Sequence, residues 1–105
     1  MDNYAAMIQE MTDAIQMFER MDQEGTLLNK NELTNSYAVR GSLYAHFNQH
    51  VEAVKDLDSA IMTMKSMTDA GQQVDVNGLA DVYIARGANF AIMGGNYSVV
   101  QKTPK

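Results

Sequence analysis

The segment Tyr37-Ala38-Val39-Arg40-Gly41-Ser42-Leu43-Tyr44 returns as Tyr83-Ile84-Ala85-Arg86-Gly87-Ala88-Asn89-Phe90, displaced by 46 residues. Thr12 to Met21 aligns with Asp58 to Met67 at the same displacement, keeping the alanine, the isoleucine and the final methionine. A period of this size belongs to arrays in which each unit buries its apolar face against its neighbours. It constrains the chain more than composition does, because 105 residues hold one whole copy of such a unit with a part-copy on either side. A stacked array points to a binding scaffold before it points to a catalyst.

The spacing of apolar residues defines the elements of the repeat. Met7, Met11, Ala14, Phe18 and Met21 lie on one face of a helix predicted over 3–22. Gly25 and Thr26 interrupt it, and Asn29 to Asn31 supply helix-start chemistry for a second helix over about 32–47. Asn48-Gln49-His50 is a polar turn short enough to force an antiparallel hairpin. The third helix begins near Val51 and carries Ala53, Leu57, Ala60, Met64 and Met67, the stripe of the first helix displaced by 46. Asp69 to Asn77 form the next connection, a fourth helix follows over 78–93, and Gly94-Gly95 break the chain. Asn96 offers a cap for a short helix over 97–101 that Pro104 limits. The expected fold is all-α: an array of antiparallel helix hairpins with about four long helices and a short C-terminal one. Its parts are a lone helix over 3–22, a complete hairpin over 32–68, and a helix with a stub over 78–102.

These residues resemble the tetratricopeptide repeat family, in the subtype that reads aromatic, two residues, Arg-Gly, two residues, aromatic. Tyr37, Gly41 and Tyr44 fit the first helix of a hairpin, Ala53, Leu57 and Ala60 the second, and Tyr83, Gly87 and Phe90 the first helix again. Met7, Met11 and Ala14, with Tyr4 just ahead, look like a second helix without its partner. The family unit is about 34 residues, so this one is longer by roughly a dozen. Ala14 to Gly41 and Ala60 to Gly87 are both 27 apart, which puts the excess between one hairpin and the next. The family's proline after the second helix is absent.

The resemblance implies an α-solenoid whose concave groove holds a peptide or protein segment, and hence a non-catalytic protein–protein interaction adaptor. By that packing, Asn35, Ala38, Ser42, Ala45 and His46 form one groove stripe, and Asp81, Ile84, Ala88, Ala91 and Ile92 form the second, each at +46. The stripe is small, apolar and weakly polar, which suits an extended or helical peptide in a shallow groove. The family's clamp for acidic chaperone tails needs Lys and Asn near Ala38, Ser42 and Ile84, which carry none. Binding of a terminal carboxylate is therefore not expected.

Apart from the family likeness, a glycine inside a helix costs about 1 kcal/mol relative to alanine, so Gly41 and Gly87 require a packing reason. A close helix crossing supplies one, with Ala53 and Ala60 facing Gly41. Arg40 and Arg86 lie on the side of the core aromatics and need partners there. Asp56 is the first candidate for Arg40, with Glu10 or Asp56 available through stacking between repeats. The alternative is that these arginines bind an acidic group of a ligand.

The net charge of −5 and the isoelectric point near 4.7, with eight scattered basic residues, argue against nucleic-acid binding. No apolar run suits a membrane span, and Met1-Asp2-Asn3-Tyr4 lack the basic start of a signal peptide, so a cytoplasmic location is expected. The absence of cysteine removes disulfides and thiolate metal sites. His46 and His50 have the spacing of a metal pair, but the Asn48-Gln49 turn separates them and no third ligand is evident. Gly94-Gly95 lack the Lys-Ser/Thr of a phosphate loop, Asn96-Tyr97-Ser98 reads as a chance acceptor sequence, and Asp58 is expected to be solvated. No nucleophile–base pair, metal or cofactor is expected, and the chain is read as no enzyme.

Met7, Met11, Met21, Met64 and Met67 follow the repeated stripe and are expected in the core, whereas Met17 and Met62 fall off it and are expected at the surface. The part-copies leave apolar faces uncovered, with Tyr83, Phe90, Tyr97 and Val100 most at risk. Another copy of the chain is expected to cover them, by end-to-end stacking or exchange of the terminal helix; the alternative is that the chain is a fragment of a longer array. A homo-oligomerisation module is accordingly the alternative function.

Overall fold

The computed structural model describes residues 2–94. It contains α1 (Asp2–Gln23), α2 (Asn31–His46), α3 (His50–Asp69) and α4 (Val76–Met93), and no strand among the described residues. Shifting α3 and α4 back by 46 gives 4–23 and 30–47, so the period extends to the helix ends within two residues. The short helix expected over 97–101, with Tyr97 and Val100, lies outside the described residues.

Three helices end by one device, a left-handed residue followed by a hydrogen bond reaching five residues back. Gly25 (φ 78°) follows α1, with Thr26 N donating to Met21 O at 2.8 Å. Gly71 (φ 76°), 46 residues later, follows α3, with Gln72 N donating to Met67 O at 2.8 Å. Asn48 (φ 67°) takes this role after α2, and Gln49 N donates to Tyr44 O at 2.8 Å. Asparagine tolerates that conformation better than other residues with a Cβ.

The helix starts differ. Asn29 Oδ1 accepts from Asn31 N at 2.7 Å ahead of α2, and Asp75 Oδ1 accepts from Gly78 N at 3.1 Å to cap α4. The Asp75 cap moves the start of α4 two residues ahead of the expected 78.

Packing proceeds in chain order: α1 lies on α2, α2 on α3 and α3 on α4, and α2 also touches α4. The core sits where the last three meet. Leu57, Ala60, Ile61, Met64 and Val82 form it, and Tyr37, Ala38, Val74, Leu79 and Ala85 pack around them. Gly41 is buried at the α2–α3 crossing, where a Cβ would meet Asp56 Cβ at 3.2 Å, and Ala53 O and Leu57 Cγ at 3.3 Å. The expected close approach is therefore present at Gly41. At Gly87 it is not: the residue is exposed, and a Cβ there would find nothing within 4 Å among the described residues.

The methionines divide by how many neighbours their helix has. Met64 and Met67 on α3 are buried, and Met17 and Met62 are exposed as their position off the stripe predicts. Met7, expected in the core, is 40% exposed, and Met11 and Met21 are half-buried. The equivalent α3 positions, Ala53, Leu57 and Met67, are buried because α3 is covered on two sides whereas, among the described residues, α1 packs on α2 alone.

Candidate functional site

Two arginines at equivalent positions organise the polar contacts between helices. Arg40 donates through Nε and Nη2 to the two carboxylate oxygens of Asp56, each at 2.8 Å, and through Nη1 to Thr12 Oγ1 at 3.0 Å. This is the expected α2–α3 pair, and it is largely enclosed, with side-chain exposures of 18% and 6%. The two hydrogen bonds to Asp56 hold the Arg40 guanidinium above its already high ordinary pKa.

Arg86 donates through Nη1 to Asp58 Oδ1 at 2.7 Å. Asp58 stands 46 residues after Thr12, so each arginine directs Nη1 to the same position of the preceding helix, a hydroxyl in one case and a carboxylate in the other. Asp58 is thus an ion-pair partner and not merely solvated as expected, because α4 brings Arg86 over the flank of α3. Neither arginine is left to bind a ligand's acid through Nη1.

Between α1, α2 and α3 lies a charged cleft that holds the Arg40–Asp56 pair and Tyr37. The Tyr37 hydroxyl donates to Glu19 Oε2. Burial first, and then the hydrogen bond to the Glu19 carboxylate, raise the Tyr37 pKa well above the ordinary phenol value. These groups already satisfy one another, so the cleft is a structural network.

A second concavity, of about 210 Å³, opens between α2 and the first turns of α4. Leu57, Met64, Val82 and Ala85 give it an apolar floor, and Asn31, Asn35, Ser42, Asp75 and Asp81 a polar rim with two carboxylates and, among the described residues, no cation. Thr34 lines it as well, and its buried hydroxyl has no hydrogen-bond partner among the described residues. An apolar floor under a few convergent polar groups is the usual composition of a binding site.

Of the expected groove residues, Asn35, Ala38, Ser42 and Asp81 meet at this concavity. Ala45 is half-buried further along α2, and His46 is exposed with its ring edge-on to Phe47 at 5.0 Å. Ile84, Ala88, Ala91 and Ile92 are exposed on α4 and do not line it. A shift of 46 carries a residue to the same face of the next unit, but α2 and α4 meet through different faces. The residues opposite Asn35 and Ala38 are therefore Gly78, Asp81, Val82 and Ala85, of which only Asp81 was expected.

Of the residues expected to be uncovered, Tyr83 is 41% exposed. Phe90, expected to be uncovered, is 8% exposed. His46 and His50 do not converge: His50 Nδ1 lies 2.6 Å from Asn89 Oδ1. Asn89 Nδ2 donates to Ala85 O at 2.8 Å, which leaves its Oδ1 as acceptor and His50 as donor. Among the described residues, no helix is long and apolar enough to cross a membrane.

Comparison with protein-family models, curated proteins and solved structures gives no match for this chain.

Proposed function

We propose that the chain is a non-catalytic adaptor, a tetratricopeptide-like array of helix hairpins that holds a segment of a partner protein between α2 and α4. The observation that carries this reading is the meeting of Asn35, Ala38 and Ser42 of one unit with Asp81 of the next around an apolar floor. A concavity of about 210 Å³ is small for a cofactor and suits one or two side chains of a peptide. Asp75 and Asp81 on the rim, with no cation lining it among the described residues, favour a segment in which Lys or Arg stands next to a compact apolar residue. Thr34 supports the same reading: an unpaired buried hydroxyl costs about 1–3 kcal/mol, which a backbone or side-chain group of the ligand would recover. The acidic balance of the whole chain favours a protein partner over a nucleic acid.

Selection from a displayed library of random peptides tests this. Peptides retained by the wild type should carry a basic residue within two or three positions of Leu, Ile or Met. The exposed Asp81, changed to Lys, should weaken them at least tenfold without altering the melting curve. Peptides held equally by both proteins, or no enrichment at all, would overturn the proposal.

A further inference from the structure

We propose that the exposed face of α4 around Gly87 receives α1 of a second copy of this chain, which packs there as α3 packs on α2. The inference is independent of the groove between α2 and α4.

Gly41 and Gly87 occupy the same place in the repeat, yet α3 lies on Gly41, whereas among the described residues nothing covers Gly87. The helix that would complete this face is of the α3 type, and α1 is the sequence counterpart of α3. Residues of α3 that meet α2, namely Ala53, Asp56, Leu57 and Ala60, correspond at −46 to Met7, Glu10, Met11 and Ala14. The four on α3 are at most 4% exposed. On α1, Met7 and Glu10 are exposed and Met11 and Ala14 only half-buried, so this face of α1 is as uncovered as the face of α4.

Charge selects the same pairing. Arg40 uses Nη1 for the preceding helix and Nε with Nη2 for Asp56 on the following one. Arg86 uses Nη1 in the same way on Asp58, and its Nε and Nη2 have no acceptor among the described residues. The residue that stands for Asp56 on α1 is Glu10, an exposed carboxylate with no partner among the described residues. In the sequence, the position 46 beyond Asp56 is Lys102, whose charge is wrong for Arg86. A second copy's α1 thus brings a further carboxylate to the Nε and Nη2 that the Asp58 pair leaves open among the described residues, and its Met7 and Met11 adapt to the surface beside Gly87. The contact joins two different surfaces, so copies add head to tail.

Charge exchange tests the pairing. Sedimentation from low to several hundred micromolar should show wild-type association, at least tenfold weaker in Glu10→Arg and in Arg86→Glu. An equimolar mixture of the two variants should restore it, because each then offers the complementary charge to the other. Glu10 is exposed, so Glu10→Arg should keep the wild-type melting curve and exclude misfolding as the cause. A wild type that stays monomeric throughout, single variants that associate as well as the wild type, or a mixture no better than its components would each overturn the proposal.

Discussion

Replacing Gly41 and Gly87 by alanine applies one chemical change to two equivalent positions whose surroundings differ. Each substitution removes the backbone-entropy penalty of a helical glycine, which favours the folded chain by about 1 kcal/mol. At Gly87 nothing opposes that gain, because the new methyl finds no atom within 4 Å among the described residues. At roughly 4–8 °C per kcal/mol for a domain of this size, Gly87→Ala should raise Tm by about 4–8 °C.

At Gly41 the methyl meets Asp56 Cβ at 3.2 Å and the Ala53 carbonyl oxygen at 3.3 Å. Neither is the free end of a flexible side chain, so α3 itself has to move. Overpacking of this kind costs about 1–3 kcal/mol, which cancels or exceeds the gain. Gly41→Ala should therefore leave Tm unchanged or lower it by several degrees, and the two variants should differ by about 1–3 kcal/mol. Thermal unfolding followed by circular dichroism at low micromolar concentration measures both. Equal stabilisation by the two substitutions would refute the account of the α2–α3 crossing.

Other consequences follow from the polar contacts. Arg40→Ala leaves the 4%-exposed Asp56 without its two hydrogen bonds and should cost about 3–5 kcal/mol in urea unfolding. Arg86→Ala loses a pair that is 30% and 48% exposed and should cost at most about 1 kcal/mol. The Tyr37 pKa is raised on folding, so its contribution is fully present below the unfolded phenol value near 10 and is lost as pH rises above it. Tyr37→Phe should flatten the fall in stability on alkaline titration, whereas a fall as steep as in the wild type would place the effect elsewhere. Asp75→Ala removes the cap on Gly78 N and should cost about 1 kcal/mol, seen as faster hydrogen exchange in the first turn of α4.

The features legible in the sequence are those that depend on period and local chemistry. The 46-residue displacement located all four helices, and the stripe on α3 gave the buried Ala53, Leu57, Ala60, Met64 and Met67. The Arg40–Asp56 pair was legible because Gly41 had already fixed which faces of α2 and α3 meet. Periodicity treats every unit as equivalent, however, and the four helices are not equally covered. Met7 has the spacing of a core residue, but among the described helices α1 has a single neighbour to cover it. Phe90 looked uncovered for the opposite reason, since its burial depends on neighbours that one repeat cannot specify.

The lining of the concavity between α2 and α4 was half legible. Asn35, Ala38 and Ser42 were found from one helix, but their counterparts on α4 required the angle between neighbouring units. Asp58 was missed because its partner lies 28 residues away in the next unit. The Thr12–Arg40 and Asp58–Arg86 pairs share that separation, and this shared separation is the signal that could have found them.

The most direct test of the binding role is a map of amide shifts on a ¹H–¹⁵N spectrum during titration with a selected basic–apolar peptide. The account predicts saturable shifts concentrated at Asn35, Ala38, Ser42, Asp81 and Val82, around the concavity between α2 and α4. Shifts centred on Arg86 and Gly87, or spread evenly over the four helices, would contradict it.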